Sequence, residues 1–477
     1  MNTVIGLEIH VELSTKTKIF CSCSAAFGGE PNSHTCPVCT GMPGSLPVLN
    51  QEVVRYAAAV GLATHCQIDR TIRFDRKNYF YPDNPQDYQI TQLYYPICTD
   101  GFLDIEAHGE TKRIRIREIH MEEDAGKLIH DPEKKVSYLD FNRSGVPLIE
   151  IVTQPDFASS EEVLAFLEIL RLRIRYLDVS DCRLNEGSMR VDVNLSVKPE
   201  GEAENGTRTE MKNLNSFRSI TAAIRNERAR QEALLLSGKA VEQETRRWDE
   251  DKNESFSMRS KEDLKDYRYF PEPDLLPFTL PAEWIEEIRK ELPEFREEKI
   301  RRYIEEYHLP EYDAKILTEE KAMADFFEMA AALSGSPKQV SNWLMGETMR
   351  LQKEQGLLQE QIPYSAEHLA DLIRLVESGQ INSTVAKEVF LAMFCEDQDP
   401  KSYVQEHGLL TVTDANALAE AVNLVLEANP KSVSDYRNGK DRALGFLVGL
   451  VMKEMKGKAD PKEVNRLLKE QIIQEGE

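Results

Sequence analysis

The segment Gly6–Leu13 carries two carboxylates and an imidazole at alternate positions. Alternate residues of an extended strand share a face, so Glu8, His10 and Glu12 would lie together, opposite the apolar residues between them. These three groups on one face suit Mg²⁺ binding, contact with a nucleotide phosphate or proton transfer. Polar alternation is also ordinary on a solvated sheet face, so this segment alone leaves both interpretations open.

Three further segments have a strand-like pattern that could add polar residues to the same surface. Glu150 is the one carboxylate of the apolar segment 148–152. Burial of an ionised carboxylate costs on the order of several kcal/mol unless the group is paired or bound to a metal. The residues that share a polar face elsewhere are Glu118, His120, Glu122 and Asp124 in 114–124, and Arg190, Asp192 and Asn194 in 188–195.

Several strands with carboxylates and cations on one side predict a platform for Mg·ATP. The carboxylates would hold the metal ion, while arginine and lysine side chains would stabilise the charge on the phosphoryl group during transfer. The segment Thr209–Asn213 could add another polar edge. The sequence has no Walker motif, G-x-x-x-x-G-K-S/T, so ATP would bind without a phosphate-cradling glycine loop.

Four of the eight cysteines have the spacing of a metal site. Cys21-x-Cys23 and Cys36-x-x-Cys39 flank a loop that is rich in glycine and proline, and two such pairs can supply four thiolates in tetrahedral geometry. We expect a structural zinc ion here, because four sulfur ligands leave no open position for catalysis. Four reduced, buried cysteines or a redox function are the alternatives.

Two aromatic segments and one basic segment could contact RNA. In 77–89 and in 266–271, tyrosines and phenylalanines alternate with polar residues, and such rings could stack on a base or on a tRNA 3′ end. Proline-containing loops with hydrogen-bonded tyrosines would have the same composition. Residues 431–458 contain seven basic residues, which would contact an RNA backbone or form a solvated basic helix: Lys431, Arg437, Lys440, Arg442, Lys453, Lys456 and Lys458.

The bulk composition limits these interpretations. The net charge is −23, so RNA would contact only local basic patches, of which 112–117 and the C-terminal segment are the candidates. No run of about 18 apolar residues is present, which argues against a membrane-spanning helix. The N-terminal residues do not resemble a signal peptide. We therefore expect a cytoplasmic protein whose cysteines are thiols or metal ligands.

The 477 residues predict about two to four domains. Residues 1–290 mix alternating strands with helices such as 161–176, without regular βαβ spacing, and this predicts an α+β domain. A proline-rich passage follows, and the pattern from about residue 284 onward is nearly all helical. We divide that part into a helical domain, 291–405, and a helical tail domain, 406–477.

Several longer stretches are specific enough to identify a family. G-L-E-I-H-V-E-L at 6–13, K-N-Y-F-Y-P-D-N-P-Q-D-Y-Q-I at 77–90, H-M-E-E-D-A-G-K at 120–127 and N-R-S-G-V-P-L-I-E-I-V at 142–152 are four of them. E-M-K-N-L-N-S-F at 210–217, E-T-R-R-W-D-E at 244–250 and D-Y-R-Y-F-P-E-P-D at 266–274 are three more. They resemble the GatB subunit of the aspartyl/glutamyl-tRNA(Asn/Gln) amidotransferase. The resemblance covers nearly the whole chain.

The resemblance implies a glutamine-synthetase-like catalytic domain, called the cradle, followed by a helical domain and a tail domain that binds tRNA. It implies a heterotrimer with an amidase subunit, GatA, and a small subunit, GatC. GatB would use ATP and Mg²⁺ to phosphorylate the side-chain carboxylate of mischarged Glu-tRNA(Gln) or Asp-tRNA(Asn), and ammonia from the amidase would displace the phosphate. A non-catalytic tRNA-binding scaffold and a stand-alone ligase are the alternatives.

The resemblance also ranks the site residues. It implies that His10, Glu122 and Glu150 bind Mg²⁺, with Glu8 and Asp192 close by. Glu123 is the alternative to Glu122, but strand alternation favours Glu122, since it shares a face with His120 and Glu118. The remaining candidates are Glu8, Arg190, Asp192 and Glu210 for catalysis, and Glu8, Lys212 and Asn213 for ATP. The cysteine spacing gives Cys21, Cys23, Cys36 and Cys39 for zinc, and the basic C-terminal segment gives Arg437, Lys440, Arg442 and Lys453 for tRNA.

Overall fold

The computed structural model describes residues 1–260, 267–411, 415–455 and 459–474. These form two compact units, Met1–Phe295 and Arg296–Glu477. Strands lie in the first unit, and helices occur in both. A large sheet and many helices confirm the expected mixture of α and β structure, while the predicted boundaries at 290 and 405 stay predictions.

The strands of the first unit begin and end as follows. They are β1 (Asn2–Glu12), β2 (Gln67–Ile68), β3 (Thr71–Ile72), β4 (Asp75–Asn78), β5 (Tyr88–Thr91), β6 (Cys98–Ala107), β7 (Glu110–Glu123), β8 (Lys127–Asp131), β9 (Val136–Asp140), β10 (Pro147–Thr153), β11 (Met189–Lys198), β12 (Thr209–Lys212), β13 (Glu244–Asp249), β14 (Glu254–Ser260), β15 (Phe270–Pro271) and β16 (Phe278–Thr279). Its helices are α1 (Gln51–Ala63), α2 (Ser160–Tyr176), α3 (Phe217–Leu236) and α4 (Ala282–Glu291).

Nine of these strands form the main sheet, in the order β14-β13-β12-β11-β1-β10-β7-β6-β2. Its strand pairs are antiparallel except for β12 and β13, which are parallel. The remaining strands form small sheets, β15-β4-β5, β16-β3 and β8-β9. The strand β1 therefore lies near the middle, with β10 on one side and β11 on the other.

One face of the main sheet is apolar and is covered by helices. In β1, Leu7 and Ile9 are at most 1% exposed and belong to the same hydrophobic cluster as Phe166 of α2 and Ile220 of α3. Contacts join α2 to β6 and α3 to β11. Burial of apolar residues on this face leaves the alternate residues of β1 on the opposite face.

The second unit is helical. Its elements are α5 (Arg296–Glu305), α6 (Glu311–Leu317), α7 (Lys321–Ser334), α8 (Pro337–Trp343), a π-helical turn (Leu344–Thr348), α9 (Met349–Gln355), α10 (Ala366–Glu377), α11 (Ser383–Glu396), α12 (Pro400–Glu406), α13 (Ala415–Ala428), α14 (Pro430–Arg437), α15 (Asp441–Glu454) and α16 (Pro461–Gln474). The buried apolar residues that the structure describes in this unit form two clusters, one from Tyr303 to Leu409 and one from Leu418 to Ile472. None of the described helices is long and apolar enough to cross a membrane.

Candidate active site

Strand pairing brings the polar residues of four strands into one row. His10 of β1 lies opposite Glu150 of β10 and opposite Arg190 of β11. Glu150 in turn lies opposite His120 of β7. Directly opposite residues point to the same face of a sheet, so these side chains cross the polar face side by side.

The first carboxylate cluster consists of His10, Glu122 and Glu150. Their nearest oxygen and nitrogen atoms all lie within 4.8 Å of one another. His10 Nε2 is 3.6 Å from Glu122 Oε1 and 3.5 Å from Glu150 Oε2. His120 Nε2 lies 3.1 Å from the same Glu150 oxygen. Two carboxylates and an imidazole at this separation could hold a divalent cation.

The charges of the two histidines balance those of the carboxylates in this cluster. Burial lowers the pKa of His10, but the hydrogen bond to Glu150 and the charge of Glu122 outweigh burial and raise this pKa to about 9. For Glu150, burial raises the pKa, but hydrogen bonds from His10 and His120 outweigh it and hold the pKa well below its usual value. A protonated imidazole therefore supplies positive charge at the position where a metal ion could bind.

The second carboxylate cluster consists of Glu8, Asp192 and Glu210, whose oxygens also lie within 4.8 Å of one another. Glu8 lies opposite Asp192. Lys212 Nζ is 2.7 Å from Asp192 Oδ2 and 3.0 Å from Glu210 Oε1. Burial, followed by the charges of Glu150 and Glu210, raises the pKa of Glu8. This part of the face therefore favours additional positive charge.

Arg190 is held by Asp124, which follows the end of β7. Its Nη2 donates to Asp124 Oδ2 at 2.8 Å, and Arg143 Nε lies 3.4 Å from the same oxygen. Glu12 lies beside Asp124, and burial together with the Asp124 charge raises the pKa of Glu12 to about 8. Glu12 therefore lies next to Asp124 and Arg190, and the three-residue cluster around His10 does not include it.

Alternation along β7 separates Glu122 from Glu123. Glu122 belongs to the first cluster, whereas Glu123 Oε1 accepts hydrogen bonds from Gln86 Nε2 at 3.2 Å and from the Ile90 backbone N–H at 3.0 Å. Burial raises the pKa of Glu123 to about 7. Asn213 is also engaged elsewhere, because its side chain donates to the backbone oxygen of Trp248 at 3.0 Å.

The four spaced cysteines also meet in space. The sulfur atoms of Cys21, Cys23, Cys36 and Cys39 lie within 4.8 Å of one another. The fully buried Lys18 donates to Cys39 Sγ at 3.5 Å and to the backbone oxygen of Phe141 at 3.2 Å. Four sulfur donors match the chemistry of a zinc site. A lysine beside them would offset part of the negative charge of a four-thiolate site.

The aromatic segments lie close to the first cluster. Tyr267 makes edge-on contacts with Tyr79 and Tyr269, with ring centroids 6.2 Å and 6.0 Å apart. Lys77 Nζ lies 5.1 Å from the Tyr267 ring. Burial, with a contribution from the charge of Glu122, raises the pKa of both Tyr79 and Tyr269. Tyr79 and Tyr269 therefore lie near enough to the first cluster for the charge of Glu122 to act on them.

The basic residues proposed from the sequence to contact RNA differ in whether their charges already have a partner. In the C-terminal segment, Arg437 donates two hydrogen bonds to the backbone oxygen of Ile472, and Lys440 pairs with Asp435 at 2.9 Å. Arg442 and Lys453 are exposed on α15, whereas Lys456 and Lys458 lie outside the described residues. Each cation of the 112–117 patch has a carboxylate partner: Lys112–Glu162, Arg113–Asp104, Arg115–Asp156 and Arg117–Glu118.

Sequence patterns alone did not indicate Lys18 or Arg143. Both reach their partners from loops, and loops have no periodicity that assigns a side chain to a face. Lysine is almost never fully buried unless it is paired. The position of Lys18, between a strand and a cysteine pair, is therefore only a weak indication in the sequence that this lysine is buried.

Comparisons with known proteins agree with the resemblance. The family model described as the GatB/GatE catalytic domain matches residues 3–286, and the model described as the GatB domain matches residues 325–472. The B subunits of the aspartyl/glutamyl-tRNA(Asn/Gln) amidotransferases from Agathobacter rectalis, Lachnospira eligens and Clostridium tetani are 62%, 60% and 51% identical to the chain. Each match covers 98% of the chain and 98% of the relative. The chain belongs to the GatB family of amidotransferase subunits.

The magnesium binding that the resemblance implies for the first cluster should depend on pH. A cation that binds the His10 nitrogen must displace a proton that is held up to pH of about 9, so affinity should rise from pH 7 to pH 9 and then level off. Calorimetric titration of the chelator-treated protein with MgCl₂, in buffers of different ionisation enthalpy, measures the protons released.

His10→Asn should remove this proton release. The control is His65→Asn, because the His65 ring stacks on Phe102 at 4.7 Å and is not part of the cluster. Magnesium affinity that is independent of pH in the unmodified chain would contradict the assignment of His10 as a ligand.

Proposed function

We propose that the polar face of the main sheet is a phosphoryl-transfer site. It uses ATP and Mg²⁺ to phosphorylate the side-chain carboxylate of mischarged Glu-tRNA(Gln) or Asp-tRNA(Asn). The observation that carries this proposal is the pair of adjoining carboxylate clusters on one sheet face, with Lys212 and Arg190 beside them. The names of the relatives supply the class of acceptor, since they specify tRNA(Asn/Gln).

The chemistry explains why such a site is needed. A carboxylate resists attack by ammonia, because hydroxide is a poor leaving group. In the proposed step, an oxygen of the acceptor carboxylate attacks the γ-phosphorus of ATP, and the bond from this phosphorus to the bridging oxygen of ADP breaks. Ammonia then attacks the acyl phosphate, phosphate leaves, and a proton is released. The product is Gln-tRNA(Gln) or Asn-tRNA(Asn).

The residues fit the proposed Mg²⁺ ions. Five of the six ligand side chains in the two clusters are carboxylates, and Mg²⁺ prefers such hard oxygen donors. When bound there, Mg²⁺ would screen the repulsion between the acceptor carboxylate and the triphosphate. Glu8, a member of the second cluster, is also close enough to the first cluster for the charge of Glu150 to act on it.

The neighbouring cations would act on the phosphates themselves. Lys212 Nζ lies between Asp192 and Glu210, which hold it as an ammonium beside the second cluster. Arg190 projects from the strand next to His10, and its hydrogen bond to Asp124 limits the positions of its guanidinium. Both cations can stabilise charge that develops on the transferred group, without reorganisation during the reaction.

The wider assembly is part of the proposal. The chain would act as the kinase subunit of a cytoplasmic, ATP-dependent carbon–nitrogen ligase with glutamine as the amide donor. Ammonia would come from an amidase subunit, GatA, in a heterotrimer with the small subunit GatC. Residues 1–290 would form the glutamine-synthetase-like cradle, 291–405 the helical domain and 406–477 the tRNA-binding tail.

Glu150→Gln should abolish phosphorylation of the acceptor. The substitution keeps the size of the side chain but removes a charge that pairs with both His10 and His120. We expect ATP-dependent phosphate release with Glu-tRNA(Gln) to fall by at least about 100-fold, while the amidase activity of the reconstituted complex is retained.

Glu106→Gln is the control for that experiment, because Glu106 is an exposed residue of β6. Full phosphate release by the Glu150→Gln complex would overturn the site assignment. If the unmodified complex never consumes ATP in the presence of mischarged tRNA, the chain is instead a tRNA-binding scaffold.

The cysteine cluster is proposed to bind structural zinc. We expect about one zinc ion per chain after dialysis, measured by plasma mass spectrometry, and near-complete loss of zinc in Cys36→Ser with Cys39→Ser. Cys395→Ser is the matched control, because Cys395 is an exposed cysteine outside the cluster. Full zinc content in the double variant would contradict the proposed ligands.

The tail is proposed to contact the tRNA backbone. Replacing Lys440 and Arg442 by alanine should weaken tRNA binding and reduce the salt slope of log Kd by about one for each phosphate that is no longer neutralised. Filter-binding titrations of the complex at several salt concentrations measure the slope. Arg466→Ala is the control, because Arg466 pairs with Glu463 and Glu470. An unchanged slope in the double variant would remove this segment from the interface.

A further inference from the structure

The polar face of the main sheet continues beyond Lys212 to the edge of the sheet. Lys212 of β12 lies in register with Arg247 of β13, and Arg247 lies opposite Phe256 of β14. Residues in register on neighbouring strands point to the same face. One contact confirms which face this is, because Thr245 Oγ1, also on β13, donates to Glu210 Oε2 at 2.8 Å.

The side chains at this edge differ from those of the opposite face. Arg247 is exposed and makes no ion pair with any residue that the structure describes. Phe256 is 42% exposed, and Met258 on the same strand is 60% exposed. On the opposite face, Trp248 and Ser255 are buried, at 1% and 8% exposure. The edge therefore presents a solvated guanidinium followed by an exposed aromatic ring.

These two groups complement a nucleotide. A guanidinium binds phosphate oxygens through charge-assisted hydrogen bonds, and an aromatic ring stacks on a base. The order of these groups along the polar face also matches a nucleotide. The second carboxylate cluster is followed by Lys212, then by Arg247 and finally by Phe256. Neighbouring strands are about 4.8 Å apart, so the four spacings from β1 to β14 span about 19 Å, which is comparable to an extended nucleoside triphosphate.

We infer that Arg247 and Phe256 form the part of the ATP site that lies away from the reaction centre: Arg247 binds the phosphate chain and Phe256 stacks on the base. The γ-phosphate then lies toward Glu8, on the side of the first cluster. This inference rests on the proposed function, because it gives the nucleotide a direction along the same sheet face. Both would bind ATP directly, and neither would touch the bond that breaks.

The test uses the reconstituted complex with ATP and Glu-tRNA(Gln). Arg247→Gln and Phe256→Ala should each raise the KM for ATP by about tenfold and leave kcat within about twofold. Arg247→Lys and Phe256→Tyr should recover most of the affinity, because they restore the charge and the ring. Recovery by these variants separates a ligand contact from a folding defect.

Inorganic tripolyphosphate separates the two roles. As a competitive inhibitor that lacks a base, it should bind Arg247→Gln more weakly, by about tenfold, and bind Phe256→Ala as it binds the unmodified complex. The control variants are Arg228→Gln and Phe278→Ala. Arg228 pairs with Glu232 on α3, at the opposite face, and Phe278 is a 36% exposed ring in the small sheet β16-β3.

The outcomes distinguish this inference from the proposed function. If the unmodified complex does not consume ATP, the proposed function fails, and the direction of the nucleotide fails with it. If the unmodified complex consumes ATP but both variants keep its KM within about twofold, only the inference is overturned. A loss of kcat at unchanged KM would overturn it as well, because it would place these residues at the reacting phosphate.

Discussion

The concentration of negative charge on one face of the main sheet is the constraint on which the candidate site depends. Carboxylates packed this closely repel one another, and burial raises the free-energy cost of ionising each of them. The chain places cations beside them: His10 and His120 lie beside Glu150, and Lys212 lies between Asp192 and Glu210. The neighbouring cations do not fully balance the negative charge around Glu8. Burial and the charges of carboxylates in both clusters raise the pKa of Glu8. The face therefore favours binding of further cations.

The apolar face of the same strands keeps this arrangement in register. A shift of one residue along β1 would move His10 to the helix-covered face and bring Ile9 to the polar face. Because Ile9 is fully buried, that shift would expose a large apolar side chain and bury a charged one. The hydrophobic effect thus selects the pairing that places His10 opposite Glu150. Stability and the geometry of the site depend on the same alternation.

The acidity of the chain is consistent with a protein that contacts RNA only at limited patches. Much of its basic surface is already paired, as the 112–117 patch shows, and Arg437 is committed to a backbone oxygen. An exposed cation such as Arg442 on α15 is therefore more informative about an RNA contact than basic composition. In the proposed reaction, the acceptor end would approach an acidic face, and bound Mg²⁺ would reduce the repulsion.

The sequence by itself determined which residues of each strand share a face, because alternation is a local property of the extended backbone. Glu8 and His10 followed from it, as did the separation of Glu122 from Glu123, and the cysteine spacing indicated a four-sulfur cluster. Only the tertiary structure decided that β1 lies between β10 and β11, because strand pairing joins residues more than a hundred positions apart. It also placed Glu12 beside Asp124 and Lys18 beside Cys39. Those contacts depend on how loops close over the sheet, and no periodic pattern in the sequence encodes them.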